Sequence, residues 1–370
     1  NSQILTLKGV YMAKIVLGAG TSHSPMLALN AEQWPRYSQG DLNHQELVFP
    51  PEGFAMPYDE GLQKVPTAIR EKPLTDEVFQ AQVDACQRGI AELAKTFNEI
   101  KPDITVIISD DQDEWFFEDN MPTFSVFWGP SVPIKPRTLA AGFREPDIME
   151  SIAKGYGDVE MDVPVASDLG RHVIEYMIDH DFDVSHFTYV KEKYGGTVAR
   201  RYPKEVGELS SVRDTEPRDQ GLPHGFAFII KRLFDNEPRT ILPIFENTCY
   251  PPNQPTPKRS YEFGRAVADA IRAWDSEKTV AIIASGGLSH FVVDEWLDKT
   301  VLDALAAKDS ETLMSIPRNR LYSAASETQN WIAVGGAMEG TDLNFELIEY
   351  VPVYRTPAGT GGGWAFGRWQ

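Results

Sequence analysis

The sequence predicts an α/β fold: a single domain with a mostly parallel central sheet, flanked by helices and interrupted by long loop insertions. Three observations carry this. Short, almost wholly apolar runs at 14–20, 104–108, 240–245 and 279–284 have the character of strands buried on both faces. Longer segments between them repeat their apolar residues at helical spacing. Strands that alternate with helices favour parallel pairing through crossovers. No internal repeat, low-complexity tract or linker divides the 370 residues, so one domain over 12–370 is expected.

The elements follow in order. Residues 1–11 precede Met12 and hold no signal-peptide core; they are expected to be an appended segment, with Met12 the native start. The first strand, 14–20, runs into Thr21-Ser22-His23-Ser24-Pro25. Residues 28–72 mix polar residues and prolines without a period, which predicts a long excursion with short helices, a lid in form. Over 75–99, Val78, Phe79, Val83, Cys86, Ile90, Leu93 and Phe97 recur at helical spacing, and Thr75 ahead of Asp76 and Glu77 is an N-cap. The strand at 104–108 ends in Ser109-Asp110-Asp111-Gln112-Asp113-Glu114-Trp115. A strand is expected at 124–128, a helix at 168–179, a strand at 183–190 and irregular polar chain over 192–220. A helix at 225–234, a strand at 240–245, a rigid Pro-rich loop at 251–257 and an amphipathic helix at 259–274 lead to the strand at 279–284. Helices at 294–307 and 327–338 and strand character at 343–354 come next. The glycines of 359–363 predict a flexible tail able to order around a ligand.

With 35 basic against 54 acidic residues, the formal charge is −19. That argues against nucleic acid and anionic membranes as partners. It leaves room for an anionic substrate, because a local arginine can dominate a pocket. Cys86 and Cys249 form no C-x-x-C pair, which disfavours zinc ribbons and thiol redox motifs and fits a reducing cytoplasm. No apolar run approaches the roughly 18 residues of a membrane span.

Four segments can carry chemistry. In Ser285-Gly286-Gly287-Leu288-Ser289-His290, two glycines permit a sharp turn and leave an imidazole just past a strand end, where ligands gather in α/β proteins. Such a histidine suits proton exchange near neutral pH, or merely bonds the turn. His23 also follows a strand. Gly18 and Gly20 lack the third glycine of a dinucleotide loop and Pro25 interrupts the helix start, so a metal ligand or a structural histidine fits better. In the acidic turn, Asp113 and Glu114 are expected to be solvated, whereas Asp110, Asp111 and Gln112 sit close enough to the strand to face a site. His224, before a helix, can present an N–H to an anionic oxygen or cap its loop. Glu327 opens a helix whose dipole stabilises a carboxylate, whether as a plain N-terminal acid or as a ligand.

Together these segments resemble the class III extradiol ring-cleavage dioxygenases, the group that includes the catalytic subunit of protocatechuate 4,5-dioxygenase. The resemblance covers most of the chain from Met12. The family's opening metal histidine matches His23 within Gly18-Ala19-Gly20-Thr21-Ser22-His23-Ser24-Pro25. Its acid/base histidine, in an S-G-G-L-S-H segment, matches His290. Its carboxylate ligand, followed four residues on by Trp and then by small residues, matches Glu327, Trp331 and Gly335-Gly336-Ala337-Met338. A substrate-side histidine followed by Gly matches His224-Gly225. One position departs. The family's second metal histidine lies in an N-D-H turn before a Pro-Thr-Phe strand entry; here Pro122-Thr123-Phe124 follows Asp110-Asp111-Gln112, and Gln112 stands where the histidine would. An amide oxygen is a weaker donor than imidazole. Either Gln112 ligates directly or through water, or Asp110 or Asp111 replaces it, or fewer protein ligands suffice and a chelating substrate completes the shell.

The resemblance implies a catalytic domain over 12–370 that binds Fe(II) and works as a cytoplasmic homodimer. Its substrates would be O2 and a catecholic or gallate-like ring, closest to single-chain relatives acting on gallate-like and methylated gallate-like compounds. Both oxygen atoms enter the ring, which opens beside the diol. His290 would take and return a proton, and His224 would hydrogen-bond a substrate oxygen. Arg259 and Tyr261 are candidates for recognising a carboxylate or hydroxyl. Two other readings stay open: a metal-dependent hydrolase with an activated water, and a non-catalytic relative, on account of Gln112.

Overall fold

The computed structural model describes residues 11–137, 144–200 and 211–370. Residues 1–10, nearly all of the segment expected to precede the native start, lie outside the described residues, as do 201–210 of the stretch expected to be irregular.

Nine strands build the main sheet. In chain order they are β1 (Lys14–Thr21), β2 (Ile104–Ser109), β3 (Phe124–Phe127), β4 (Ser185–Phe187), β5 (Ile241–Glu246), β6 (Thr279–Ser285), β7 (His290–Val292), β8 (Phe345–Tyr354) and β9 (Thr360–Trp369). The path across the sheet is β7-β9-β1-β6-β2-β5-β3-β4, with β8 paired along β9. The centre, β1-β6-β2-β5, is parallel. Its strands are buried almost throughout, which is why they read as continuous apolar runs rather than alternating ones. The α/β architecture is the one expected.

The longer helices are α1 (Asp76–Ile100), α2 (Pro146–Gly155), α3 (Ser167–Asp179), α4 (His224–Arg232), α5 (Pro257–Ala273), α6 (Glu295–Ala307) and α7 (Thr328–Met338). In α1 the Thr75 hydroxyl accepts from the Val78 N–H, and Phe79, Val83, Cys86, Ile90, Leu93 and Phe97 form the buried stripe. Helices α5 and α7 touch backbone to backbone. A Cβ on Gly264 would overlap the Ala333 carbonyl oxygen, and one on Gly336 would overlap that of Tyr261. Because α7 carries the start of the site, Gly264→Ala is expected to lower the thermal unfolding temperature, with a loss at the upper end of the ~1–3 kcal/mol typical of overpacking. An unchanged unfolding temperature would show that the two helices separate freely.

Several elements differ from expectation. The glycine-rich tail is not a flexible segment: it is β9, which is antiparallel to β1, β7 and β8 and almost wholly buried. Low strand propensity made it look like a loop, but these glycines admit close neighbours. A side chain on Gly361 would meet the Val353 carbonyl, and one on Gly363 the Asp298 carboxylate. The strand expected at 183–190 shrinks to three residues, helix α2 was not foreseen, and 192–220 contains a small antiparallel pair, Thr197–Arg200 with Ser211–Asp214. The 28–72 excursion does carry short helices, Gln33–Ser38, Tyr58–Lys64 and Thr67–Arg70. Its first part is fastened rather than free as a lid. Arg355 grips Asp41 with two guanidinium nitrogens, the Thr360 hydroxyl donates to the same carboxylate, and all three residues are buried. Among the described residues no helix is long and apolar enough to cross a membrane.

Candidate metal centre and active site

The carboxyl ends of the parallel strands β1, β6 and β2 lie side by side, with Thr21 beside Ser285 and Ala284 beside Ile108. Chains leaving these ends line the crevice where α/β proteins hold ligands. His23 follows β1, Asp110 follows β2 and Gly286 follows β6. Glu327 reaches them from the start of α7. Its Oε2 accepts the Gly287 N–H at 2.7 Å, and the Trp331 indole donates to the Gly286 carbonyl at 2.8 Å. Gly286 has φ +127°, and a Cβ there would stand 2.8 Å from Glu327 Oε2. Gly20 lies flush against the Trp331 ring, which a Cβ would approach to 2.6 Å. The glycine turn and the Glu-to-Trp helix are therefore one packed unit.

His23, Asp110 and Glu327 each offer a ligand atom, all within 4.8 Å of one another. They are 2%, 0% and 1% exposed, so their charges must be answered inside the protein. The Ser285 hydroxyl donates its one proton to the Gly225 carbonyl at 2.6 Å. It must then accept from His23 Nδ1–H, 3.1 Å away. That fixes the tautomer of the neutral ring: Nε2 keeps its lone pair, faces Glu327 Oε2 at 3.3 Å and has no hydrogen-bond partner among the described residues. An orphaned buried nitrogen beside two carboxylates fits a divalent cation. Ser285→Ala removes the acceptor behind the imidazole and is expected to weaken metal binding about 10–100-fold. A metal titration by calorimetry checks this, and an unchanged affinity would show that Ser285 does not orient His23.

The electrostatics agree. Burial alone would raise Glu327, yet His290 and His23 hold its carboxyl well below the usual range. Burial opposes charge on His23, but Glu327 outweighs it and raises the imidazole. Burial and then Glu327 push Asp110 up to about 7. Two carboxylates that repel one another in a dry site are what a cation relieves.

The acidic turn divides its residues unexpectedly. Burial raises Asp111 well above the usual carboxylate range, and its oxygens accept the backbone N–H groups of Glu114, Trp115 and Phe116 at 2.8–3.2 Å, so it shapes the turn. Gln112 turns its amide nitrogen, not its oxygen, to the cluster, donating to Asp110 Oδ2 at 3.1 Å and to Glu327 Oε1. Asp113 and Glu114 are buried, contrary to the solvated pair expected. The backbone bonds to Asp111 curl the turn and carry Glu114 inward. There Glu114 accepts from Arg137 Nη2 at 2.9 Å, from Gln220 Nε2 at 3.0 Å, and from both the backbone N–H and Nδ1 of His224. Burial would raise it, but Arg137 and His224 hold it at about 2.

His290 opens β7, pairing with Gly362. Its Nδ1–H donates to the Leu288 carbonyl at 2.9 Å, and Nε2 lies 3.2 Å from Glu327 Oε1. His224 is the first residue of α4, and burial lowers its pKa, which favours the neutral ring. That ring stands edge-on to His23, with centroids 4.6 Å apart. The approach requires the glycine that follows, since a Cβ on Gly225 would lie 2.8 Å from the His23 ring and overlap Ser109 Oγ. The four histidine and glutamate positions singled out in the sequence thus converge.

Arg259 and Tyr261 do not join them. The Arg259 guanidinium lies 3.7 Å over the Phe182 ring, and Tyr261 borders a separate small cavity with Leu313, Met338 and Trp369. Both sit in the first turns of α5. Conversely, Ser285, Glu114, Arg137, Tyr156 and Asn330 were not foreseen. Asn330 had a signal: it falls three residues after Glu327 on the same helix face, and it donates to Asp110 Oδ1 at 3.3 Å and the Ser285 carbonyl at 3.1 Å. A further cavity of about 840 Å³ lies between 49–72 and the chain after β7; its Lys72 and Arg320 are already paired with Glu295 and Asp294.

Glu246, the last residue of β5, is buried; it accepts from the Ser260 hydroxyl, and its other oxygen has no partner among the described residues. Burial pushes its carboxyl up to about 8. A raised carboxyl stabilises the fold while protonated in both states. That contribution is lost as pH climbs from the unfolded value, about 4.3, to about 8. Glu246→Gln is therefore expected to gain thermal stability over wild type progressively across this range, checked by unfolding scans at pH 5 and 9. A difference independent of pH would show that Glu246 ionises freely.

Residues 69–362 match the family model described as the catalytic LigB subunit of aromatic ring-opening dioxygenase. A 2,3-dihydroxyphenylpropionate/2,3-dihydroxicinnamic acid 1,2-dioxygenase of Mycolicibacterium gilvum is 26% identical over 212 residues, 57% of this chain and 50% of that protein. A gallate dioxygenase of Pseudomonas putida is 36% identical over 81 residues, 21% of this chain and 24% of that one. The chain thus spans half or less of the length of these curated relatives. A solved structure of an uncharacterized Escherichia coli K12 protein aligns over 76% of this chain and 91% of its own at 13% identity, with a TM-score of 0.40.

Proposed function

The chain belongs to the family of the catalytic LigB subunit of aromatic ring-opening dioxygenase, and from that premise we propose that it is a non-haem Fe(II)-dependent extradiol dioxygenase. It opens a catechol- or gallate-type ring beside the diol and places both atoms of O2 in the product, as a step of aromatic catabolism. The observation that carries this is the orphaned His23 Nε2, held beside Asp110 and Glu327 with the His290 imidazole 3.2 Å from the same glutamate.

His23, Asp110 and Glu327 would hold the metal, with Gln112 clasping the two carboxylates. Fe(II) held there would supply the Lewis-acid and redox chemistry that joins a ring diol to dioxygen. The protein's own part is proton handling and placement. The Leu288 carbonyl keeps the proton of His290 on Nδ1, which leaves Nε2 to take the proton of a ring hydroxyl and return it to the opened product. Neutral His224, its Nδ1 side turned to Glu114, orients a ring oxygen with the other side of the imidazole. The rings of Tyr156 and Trp364 flank His224 and His290 with centroids 5.5 Å apart in each case, limiting water at the reacting groups. A cytoplasmic homodimer completes the proposal.

The test is oxygen uptake by Fe(II)-loaded protein across catechol, protocatechuate, gallate and methylgallate, with absorbance followed for a yellow ring-opened product. Uptake matched to product supports the reading. Ester or amide hydrolysis without oxygen consumption would replace it with a metal hydrolase, and failure to retain any metal would leave a non-catalytic relative.

A further inference from the structure

Asp298, in the first turn of α6, is a fully buried acid outside the strand-end cluster. None of its three hydrogen-bond partners is a cation. Oδ1 accepts the Ser289 N–H at 2.8 Å, and Oδ2 accepts the hydroxyls of Ser289 and Tyr350, each at 2.8 Å. Gly363 passes so close that a Cβ there would overlap Oδ2. The N-terminal end of a helix favours an anion, yet burial still pushes this carboxyl up to about 7. A buried acid without a cation is a poor source of stability. What its three donors do provide is a fixed direction.

That direction bears on His290. Two of the three bonds fall on Ser289, the residue before it. The Ser289 hydroxyl oxygen also accepts the Asp294 N–H at 2.9 Å, and its carbonyl accepts the Gly363 N–H at 2.8 Å. The Leu288 N–H donates to the Gly363 carbonyl at 3.0 Å. The Leu288 carbonyl is in turn the group that accepts the His290 Nδ1–H at 2.9 Å. Ser289 therefore joins the carbonyl that sets the tautomer to the residue that carries the ring, and α6 grips it through both its backbone and its side chain.

We propose that Asp298 is a positioning residue for His290: through Ser289 it holds the Leu288 carbonyl and the imidazole in one arrangement beside Glu327, from which the ring takes and returns its proton. This rests on the ring-cleavage reading and adds to it a residue outside the reacting centre.

The experiment is a double-mutant cycle between Asp298 and His290 in the Fe(II)-loaded protein. Oxygen uptake on a diol that wild type consumes gives kcat and KM for wild type, Asp298→Asn, His290→Phe and the double variant. Calorimetry under argon gives diol affinity for each. Asparagine keeps an acceptor for the Ser289 N–H and removes the oxygen that takes the two hydroxyl protons. Asp298→Asn is expected to lower kcat about 10–100-fold, as a slightly misplaced reacting group does, with diol affinity and Fe(II) content within about threefold of wild type. In the His290→Phe background the same substitution should change kcat by less than about twofold, because its effect runs through the missing ring. Ser289→Ala keeps the backbone bond and loses the hydroxyl; its smaller effect on kcat should vanish in that background too. A loss that persists in full without His290, or that falls on diol affinity, overturns the inference, since a general brace of the fold would act in that way. Normal kcat in Asp298→Asn overturns it as well. If Asp298→Asn does not fold, Ser289→Ala decides by the same criteria. If wild type consumes no oxygen with any diol, the ring-cleavage reading fails, and the positioning is read from NMR of the histidine ring nitrogens. The signal missing from His290→Phe should then show the proton on Nδ1 in wild type and mixed tautomers in Asp298→Asn; identical spectra would sink the positioning role.

Discussion

Asp110→Asn is expected to abolish stable divalent-metal binding and the oxygen uptake that depends on it, while Gln112→Ala keeps its metal. The asparagine is close to isosteric; its one oxygen accepts from one of the two donors that now approach separate oxygens of Asp110, Gln112 Nε2 and Asn330 Nδ2, and the single bond lost costs only about 0.5–1.5 kcal/mol. The fold therefore survives and the loss is one of charge. A cation facing His23 Nε2 would keep one anionic ligand instead of two, and the loss should exceed the roughly 10–100-fold that changes behind a ligand produce. A second readout moves the other way. Burial and Glu327 push the Asp110 carboxyl to about 7. Without metal, its stabilising contribution is lost as pH rises from the unfolded value to about 7. Metal-free Asp110→Asn should therefore unfold at a higher temperature than metal-free wild type at pH 8, and at nearly the same temperature at pH 4. Metal content after anaerobic Fe(II) loading and unfolding scans check both parts. If Asp110→Asn holds its metal and Gln112→Ala does not, Gln112 is the ligand and the assignment reverses.

His290→Phe is expected to keep metal and bind the diol, yet lose turnover by about 10²–10⁴-fold, the usual contribution of a positioned acid or base. Phenylalanine fills the volume between Leu288 and Glu327 but neither accepts nor returns a proton. The lost bond to the Leu288 carbonyl costs about 1 kcal/mol, too little to unfold the chain. The effect should fall on kcat rather than on the equilibrium binding of substrate under argon. Normal oxygen uptake by this variant would remove His290 from the chemistry.

The parts of the site that the sequence revealed are those where backbone and side chain obey one local rule. Ser285-Gly286-Gly287-Leu288-Ser289-His290 marks a sharp turn past a buried strand because only glycine tolerates that path, and Gly286 does take φ +127°. Glu327 and Trp331 sit one turn apart on a helix, and both meet that glycine turn. Glu114 was misjudged because an acidic run is solvated by default; the three N–H bonds to Asp111 that turn it inward are not visible in composition. Arg137 carried no signal, since a loop arginine has no period and no motif. The glycines of β9 misled because intrinsic propensity speaks against a strand, and only the nearness of Val353 and Asp298 explains them.

By itself, then, the sequence determined the α/β class, the strand ends that carry His23, Asp110 and His290, and the helix start that carries Glu327. Each is set by hydrophobic periodicity or by a residue's own backbone freedom, which act over a few positions. Only the tertiary structure decided which atom of the acidic turn faces the His23 lone pair and which tautomer the neutral His23 ring adopts. Those outcomes depend on hydrogen bonds between groups up to 262 residues apart, such as His23 to Ser285. A difference of about an ångström in such a bond separates a ligand from a bystander.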